Sequence, residues 1–330
     1  MTGKHTQQRF SRRELLKAGA AIGGALIPTA RALSQQERTG PAVWLDMDQA
    51  QLDDAYNQAV YAPNRDRVAE QNELRNALAK ARLGPPMKFA YGPNPAETLD
   101  VYRTEREGGP VHVYIHGGTW RFGTAEQFAY LAEPFVHNGA NAVILDFSPV
   151  EEAEDGLTTL VTQVRDAVAW SYRNAEQFGG DPERLHVSGH SSGGHLAATV
   201  LTTDWQGNYG LPPDLVKGGL CVSGMYDLEP VRLSWRNSYL HLTDEMVEAL
   251  SPQRHIDQVR APLLVAYGTY ETPEFQRHAR DFAAAVEAAG KPVELVVGTG
   301  FNHFEIRDTL GNEYGLLGRA VLEQMRLAEL

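Results

Sequence analysis

Leu185-His186-Val187-Ser188-Gly189-His190-Ser191-Ser192-Gly193-Gly194-His195-Leu196-Ala197-Ala198 decides how this chain is read. An apolar, β-branched run passes through Gly-His-Ser-Ser-Gly straight into small helix-forming residues. That is the strand, sharp turn and helix context a nucleophile elbow requires. Ser191 falls on the point of the turn, where the backbone is strained. Gly189 and Gly193, two positions either side, must then lack side chains for strand and helix to pack closely. Ser192 fits worse, because His190 occupies its minus-two position. A Gly-x-Ser-x-Gly also arises by chance in glycine-rich loops, so the rest of the chain has to supply the partners.

Around the elbow, short apolar strands alternate with helical patterns. Strands are expected over 111–115, 142–146, 185–187, 218–223, 262–267 and 293–297. Helices are expected over 125–138, 157–178, 192–203 and 273–289. β-Branched strands separated by helices imply an α/β fold, a mostly parallel sheet with helices on both faces. Residues 87–91 and 98–103, joined by Gly92-Pro93-Asn94-Pro95, read as an antiparallel hairpin at the sheet's edge. Charged helical segments over 45–83, divided at Pro63-Asn64, and an insertion over 225–260 lie outside the alternation. Both are expected to cover the active site.

A serine hydroxyl needs a base to take its proton and a third group to orient that base. Past the strand ending at Tyr267 comes Gly268-Thr269-Tyr270-Glu271, and past the last strand comes Gly300-Phe301-Asn302-His303-Phe304. Ser191, Glu271 and His303 thus follow the order Ser…Glu…His, at the sheet edge where open α/β folds gather their chemistry. Asp227 and Glu274 stay open as alternative acids. His116-Gly117-Gly118-Thr119-Trp120 follows a strand, and its glycines free backbone N–H groups to face a reacting carbonyl. With the Ser192 N–H at a helix start, Gly117 and Gly118 form the expected oxyanion hole. Trp120, Tyr226, Trp235 and Phe301 adjoin these motifs and are expected to line a pocket for an aromatic or compact substrate.

Near the N-terminus, Ser11-Arg12-Arg13-Glu14-Leu15-Leu16-Lys17, a mildly apolar stretch and Thr29-Ala30-Arg31-Ala32 are similar to a twin-arginine signal peptide over 1–32. That reading places the mature protein in the periplasm or outside the cell, and leaves 33–330 as a single α/β domain. The apolar part is shorter than the ~20 residues of a spanning helix, which argues against a stable membrane anchor. The whole chain carries a formal net charge of −12, and 1–32 holds six basic residues and one acidic residue. Its loss makes the charge more negative still, which disfavours nucleic acid as a partner. The single cysteine, Cys221, rules out an intramolecular disulfide and reads as a buried thiol. Eleven histidines raise a zinc hydrolase, but no His-Glu-x-x-His occurs. A homo-oligomer is left open.

His116-Gly117-Gly118-Thr119-Trp120, Gly179-Gly180-Asp181-Pro182, the elbow, Ser223-Gly224-Met225-Tyr226-Asp227-Leu228-Glu229-Pro230 and Asn302-His303-Phe304 together resemble the kynurenine formamidase (arylformamidase) and related carboxylesterase branch of the α/β hydrolases. The resemblance runs from about Leu52, with Tyr56-Asn57 close to the family's start, to the C-terminus. It implies an eight-stranded α/β-hydrolase fold, a serine mechanism without cofactor, Ser191 as nucleophile, His303 as base, Glu271 as acid and Gly117–Gly118 as oxyanion hole. Two departures stand out: Glu occupies the acid position where many hydrolases carry Asp, and an exported tryptophan-catabolic enzyme would be unusual. The expected activity is cleavage of small carboxylic esters and aryl formamides through an acyl-enzyme. A dedicated N-formylkynurenine formamidase is the alternative, and a non-catalytic binding module on the same fold is a remoter one.

Overall fold

The sheet has eight strands in the order β1-β2-β4-β3-β5-β6-β7-β8 in a computed structural model whose described residues are 38–327. The leader expected over 1–32 lies outside the described residues. β1 (Met87–Ala90) and β2 (Thr98–Tyr102) form the antiparallel edge hairpin, and β2 also runs antiparallel to β4 (Asn141–Leu145). From β4 onward the pairings through β3 (Gly109–Ile115), β5 (Gly180–His190), β6 (Val216–Val222), β7 (Leu263–Gly268) and β8 (Val293–Gly298) are parallel. The elbow strand is longer than 185–187, running from Gly180 to His190 with an irregular register against β3 between Gly109 and Val111.

Alternation along each strand sends neighbouring side chains to opposite faces. Val111, Val113 and Ile115 of β3, with Val143 and Leu145 of β4, join one core cluster, whereas Tyr114, Ala142 and Ile144 join another. The first cluster is covered by α1 (Gln49–Ala55), with α4 (Leu157–Asn174), α5 (Ser192–Leu201) and α10 (Pro273–Ala288) beside it. The second is covered by α2 (Arg65–Leu83), α3 (Ala129–His137), α11 (His303–Asp308) and α12 (Leu316–Gln324). Burial on both faces is why the central strands are apolar runs rather than alternating ones.

The helical stretch before the sheet is less continuous than its sequence suggests. α1 is short, a 3₁₀ turn occupies Gln58–Tyr61, and only α2 is long. Likewise 125–128 and 175–178 tighten into 3₁₀ turns beside α3 and α4. Between β5 and β7 come α6 (Trp205–Tyr209) and, within 225–260, α7 (Glu229–Leu233), α8 (Asn237–Leu240) and α9 (Asp244–Leu250). Among the described residues no helix is long and apolar enough to cross a membrane.

Candidate active site

β5 delivers Ser191 into the turn with φ 60° and ψ −126°, a conformation that costs on the order of 1–3 kcal/mol in a non-glycine residue. The turn is held by close packing of backbone on backbone. A Cβ on Gly189 would lie 2.0 Å from the Gly193 carbonyl, and one on Gly193 would lie 2.2 Å from that of Ile115. The Ser191 N–H is bonded to the Val222 carbonyl at 2.9 Å, which ties the turn to β6.

His303 opens α11, where Asn302 caps the helix and forms a reciprocal capping box with Glu305. Its Nε2 is 2.9 Å from Ser191 Oγ, and its Nδ1 is 3.1 Å from Glu271 Oε2. The other carboxylate oxygen accepts the Ser223 hydroxyl at 2.6 Å and the Gly268 N–H at 2.7 Å. Glu271 is fully buried, and Ser191 and His303 nearly so. A carboxylate fixed by two donors can hold the imidazole in the tautomer whose Nε2 accepts the serine proton. The alternative acids are engaged elsewhere: Asp227 accepts the Glu229 N–H and faces Arg254, and Glu274 pairs with Arg277. Behind His303, His190 Nε2 donates to the His303 carbonyl at 2.8 Å. Burial, reinforced by the His303 ring, pushes the His190 pKa far below the ordinary histidine value.

The 116–123 loop sits directly against the elbow. A Cβ on Gly117 would fall 2.5 Å from the His190 carbonyl and 3.1 Å from Ser191 Cβ. Gly118 has φ +131°, and Thr119 and Trp120 are also left-handed at 57° and 62°. The N–H groups of Gly117 and Gly118 have no acceptor among the described residues. As the first residue of α5, Ser192 presents an N–H with no acceptor inside the helix. Three donors beside Ser191 suit an oxyanion.

Of the four aromatics expected to line the pocket, only Trp235 does so. Trp120 is a correction: its left-handed backbone turns the ring inward, where it is 1% exposed. There its Nε1 donates to His195 Nδ1 at 3.3 Å, and its N–H donates to Ser192 Oγ at 3.1 Å. His195 passes the chain on, with Nε2 donating to the Leu250 carbonyl at 2.8 Å. Tyr226 is a second correction, buried and stacked on Phe282 at 4.4 Å with its hydroxyl accepting the Gly224 N–H. Phe301 is a third, since it borders a separate groove with α2 and α3.

The cavity over Ser191 has a volume of about 370 Å³. Its walls come from 56–59 after α1, the 117–123 loop with Gln127 and Phe128, Trp235 and Arg236 of the insertion, and Phe304 and Arg307 of α11. Arg236 and Arg307 went unnoticed in the sequence. The available signal at Arg236 is a cation beside Trp235 with no acidic residue three or four positions away. Among the described residues, no group of His, Cys, Asp and Glu is arranged to hold a metal ion.

An eight-stranded, mostly parallel sheet with a strained serine at the end of β5, backed by histidine and a carboxylate, defines an α/β hydrolase. Family models agree: BD-FAE matches residues 99–210, and the prolyl oligopeptidase family matches residues 159–315. The kynurenine formamidase of Danio rerio is 31% identical over 295 residues, covering 86% of this chain and 98% of the relative. That of Salmo salar is 32% identical over 251 residues, covering 74% and 81%. The structure of EstE1, a thermostable carboxylesterase from a metagenomic library, superposes with a TM-score of 0.61 at 21% identity, covering 80% of this chain and 98% of that one. The chain belongs to the kynurenine formamidase and esterase branch of the α/β-hydrolase family, and it is a hydrolase.

Proposed function

We propose that this protein cleaves small carboxylic esters and aryl formamides through an acyl-enzyme on Ser191. The observation that carries the reading is the buried relay from Ser191 Oγ to His303 Nε2 at 2.9 Å and from His303 Nδ1 to Glu271 at 3.1 Å. As Ser191 Oγ attacks the carbonyl, His303 takes its proton; the tetrahedral oxyanion is held by the N–H groups of Gly117, Gly118 and Ser192. Collapse of that intermediate breaks the ester or amide bond, and His303 returns the proton to the leaving oxygen or nitrogen. Water, deprotonated by the same histidine, then releases the acid. Such a donor set supplies on the order of 3 kcal/mol per donor in the transition state. The test is a pre-steady-state burst of nitrophenol from 4-nitrophenyl acetate equal to the enzyme concentration. A linear release with no burst, together with no acetyl adduct on Ser191 in acid-quenched samples, would count against the acyl-enzyme.

A dedicated N-formylkynurenine formamidase is the second reading, favoured by the two relatives of that name. The discriminating measurement is kcat/KM for N-formylkynurenine against a panel of acetyl and aryl esters. A formamide preference of about 100-fold or more would select it, and a preference for esters would select the broader activity. Export by the Arg12-Arg13 leader belongs to the same proposal, checked by fractionating cells that express the chain with Arg12 and Arg13 intact or changed to lysine.

A further inference from the structure

The cavity over Ser191 carries charge of one sign. The chain as a whole has a net charge of −12, yet among the described residues no aspartate or glutamate lines this cavity, and two arginines do. Arg307 is already engaged, with Nε and Nη2 both directed at Asp308 within 3.2 Å. Arg236 is different. It is 4% exposed, and Nη2 donates to the Tyr56 carbonyl at 2.8 Å; the Tyr239 phenol is its polar side-chain neighbour, Nε and Nη1 are buried without a well-formed hydrogen bond, and among the described residues no carboxylate pairs with the group. Its close neighbours are the rings of Tyr56, Trp235 and Phe275, at 5.6, 5.7 and 6.0 Å from the guanidinium carbon. Aromatic faces stabilise a cation without neutralising it. Burial raises the Tyr239 phenol, and the charge of the adjacent Arg236, with a hydrogen-bonding contact between the two, offsets part of that rise; a neutral phenol leaves the guanidinium without a counter-charge.

A buried guanidinium cannot shed its proton, so a low-dielectric site has to give it an anion or leave it at considerable cost. Its planar fork also matches the two oxygens of a carboxylate bidentately. We infer that the Ser191 cavity selects anionic substrates, namely compact esters or amides whose carboxylate pairs with Arg236 while the reacting carbonyl rests on Ser191. This rests on the serine-hydrolase reading above and narrows its substrate class. At about 370 Å³ the cavity suits one aromatic ring with two short substituents, and Trp235 beside Arg236 supplies a face for that ring.

The test uses the full chain and the matched pair phenyl acetate and 3-carboxyphenyl acetate. The wild-type chain is expected to favour the carboxylate ester in kcat/KM by about tenfold or more, mainly through KM. In Arg236→Gln the ratio of the two kcat/KM values falls by at least that factor, and Arg236→Lys recovers part of it. A merely structural role would lower both values together and leave the ratio unchanged, which would overturn the assignment. Should the Gln variant fail to fold, benzoate and benzamide as competitive inhibitors of the wild-type chain give the same reading. Benzoate is expected to inhibit about tenfold more tightly; equal inhibition would mean that no carboxylate reaches the guanidinium and would overturn the proposal. A chain that hydrolyses phenyl acetate but shows no charge preference fails here while the serine reading stands. A chain inert toward both esters and unreactive at Ser191 fails both.

Discussion

The floor and the roof of the cavity are built on different terms. On the floor, Ser191 directly follows β5, His303 starts α11 and Glu271 sits in the turn between β7 and α10, and hydrogen bonds account for both carboxylate oxygens of Glu271. In the roof, Trp235 is 43% exposed and Arg236 leaves two nitrogens without a well-formed hydrogen bond. The floor is over-determined, which is what chemistry at one fixed geometry demands. The roof keeps polar capacity in reserve, as a surface that has to recognise something does.

The largest way to break the contrast is at its centre. Ser191→Ala should cost about 10⁵-fold or more in kcat on 4-nitrophenyl acetate, with an unchanged circular dichroism spectrum. Activity within a hundredfold of wild type would move the chemistry elsewhere. Glu271→Gln keeps the acceptor for Ser223 and Gly268 but offers His303 Nδ1 an N–H, favouring the wrong tautomer. A kcat loss of about 10⁴-fold with retained folding is expected. If Asp227→Asn cost more than Glu271→Gln, the orienting acid would be misassigned.

Acid should damage the body of the fold. Burial depresses His116 and His195 to about 4 and His112 and His278 to about 3, from an ordinary value of 6.5. The unfolded chain therefore binds more protons below pH 6.5, and the stability these neutral rings contribute is full above that value and is lost as pH falls through it toward 4. Thermal denaturation between pH 7.5 and 4.5 should show Tm falling steadily over that window; a Tm that is flat or rises on acidification would contradict it.

The smallest effects separate two tryptophans. Trp235→Ala should change KM by several-fold with little change in Tm, since its ring borders the cavity and is partly in solvent. Trp120→Phe should do the reverse, removing the Nε1 bond to His195 and costing about 1–2 kcal/mol of stability. Equal KM effects from the two would erase the distinction between floor and roof.

That same distinction tracks what the sequence could reveal. The convergence of Ser191, Glu271 and His303 was legible because each follows a recognisable apolar strand, and a parallel sheet brings strand ends together. The antiparallel hairpin before them was legible from its Gly-Pro-Asn-Pro turn. Trp120 misled because adjacency to Gly117-Gly118 says nothing about ring direction once two successive residues turn left-handed. Phe301, two residues before His303, lines the groove shared with α2 and α3 instead. Arg236 lies in an insertion of short helices with no long periodic pattern, so only the assembled structure shows that its charge is buried beside the serine.

Labelling with a fluorophosphonate followed by peptide mass spectrometry asks directly whether Ser191 is the nucleophile. One adduct per chain is expected, on Ser191, abolished in Glu271→Gln on the same timescale. An unlabelled chain, or an adduct on Ser192 or another serine with Ser191 unmodified, would contradict it.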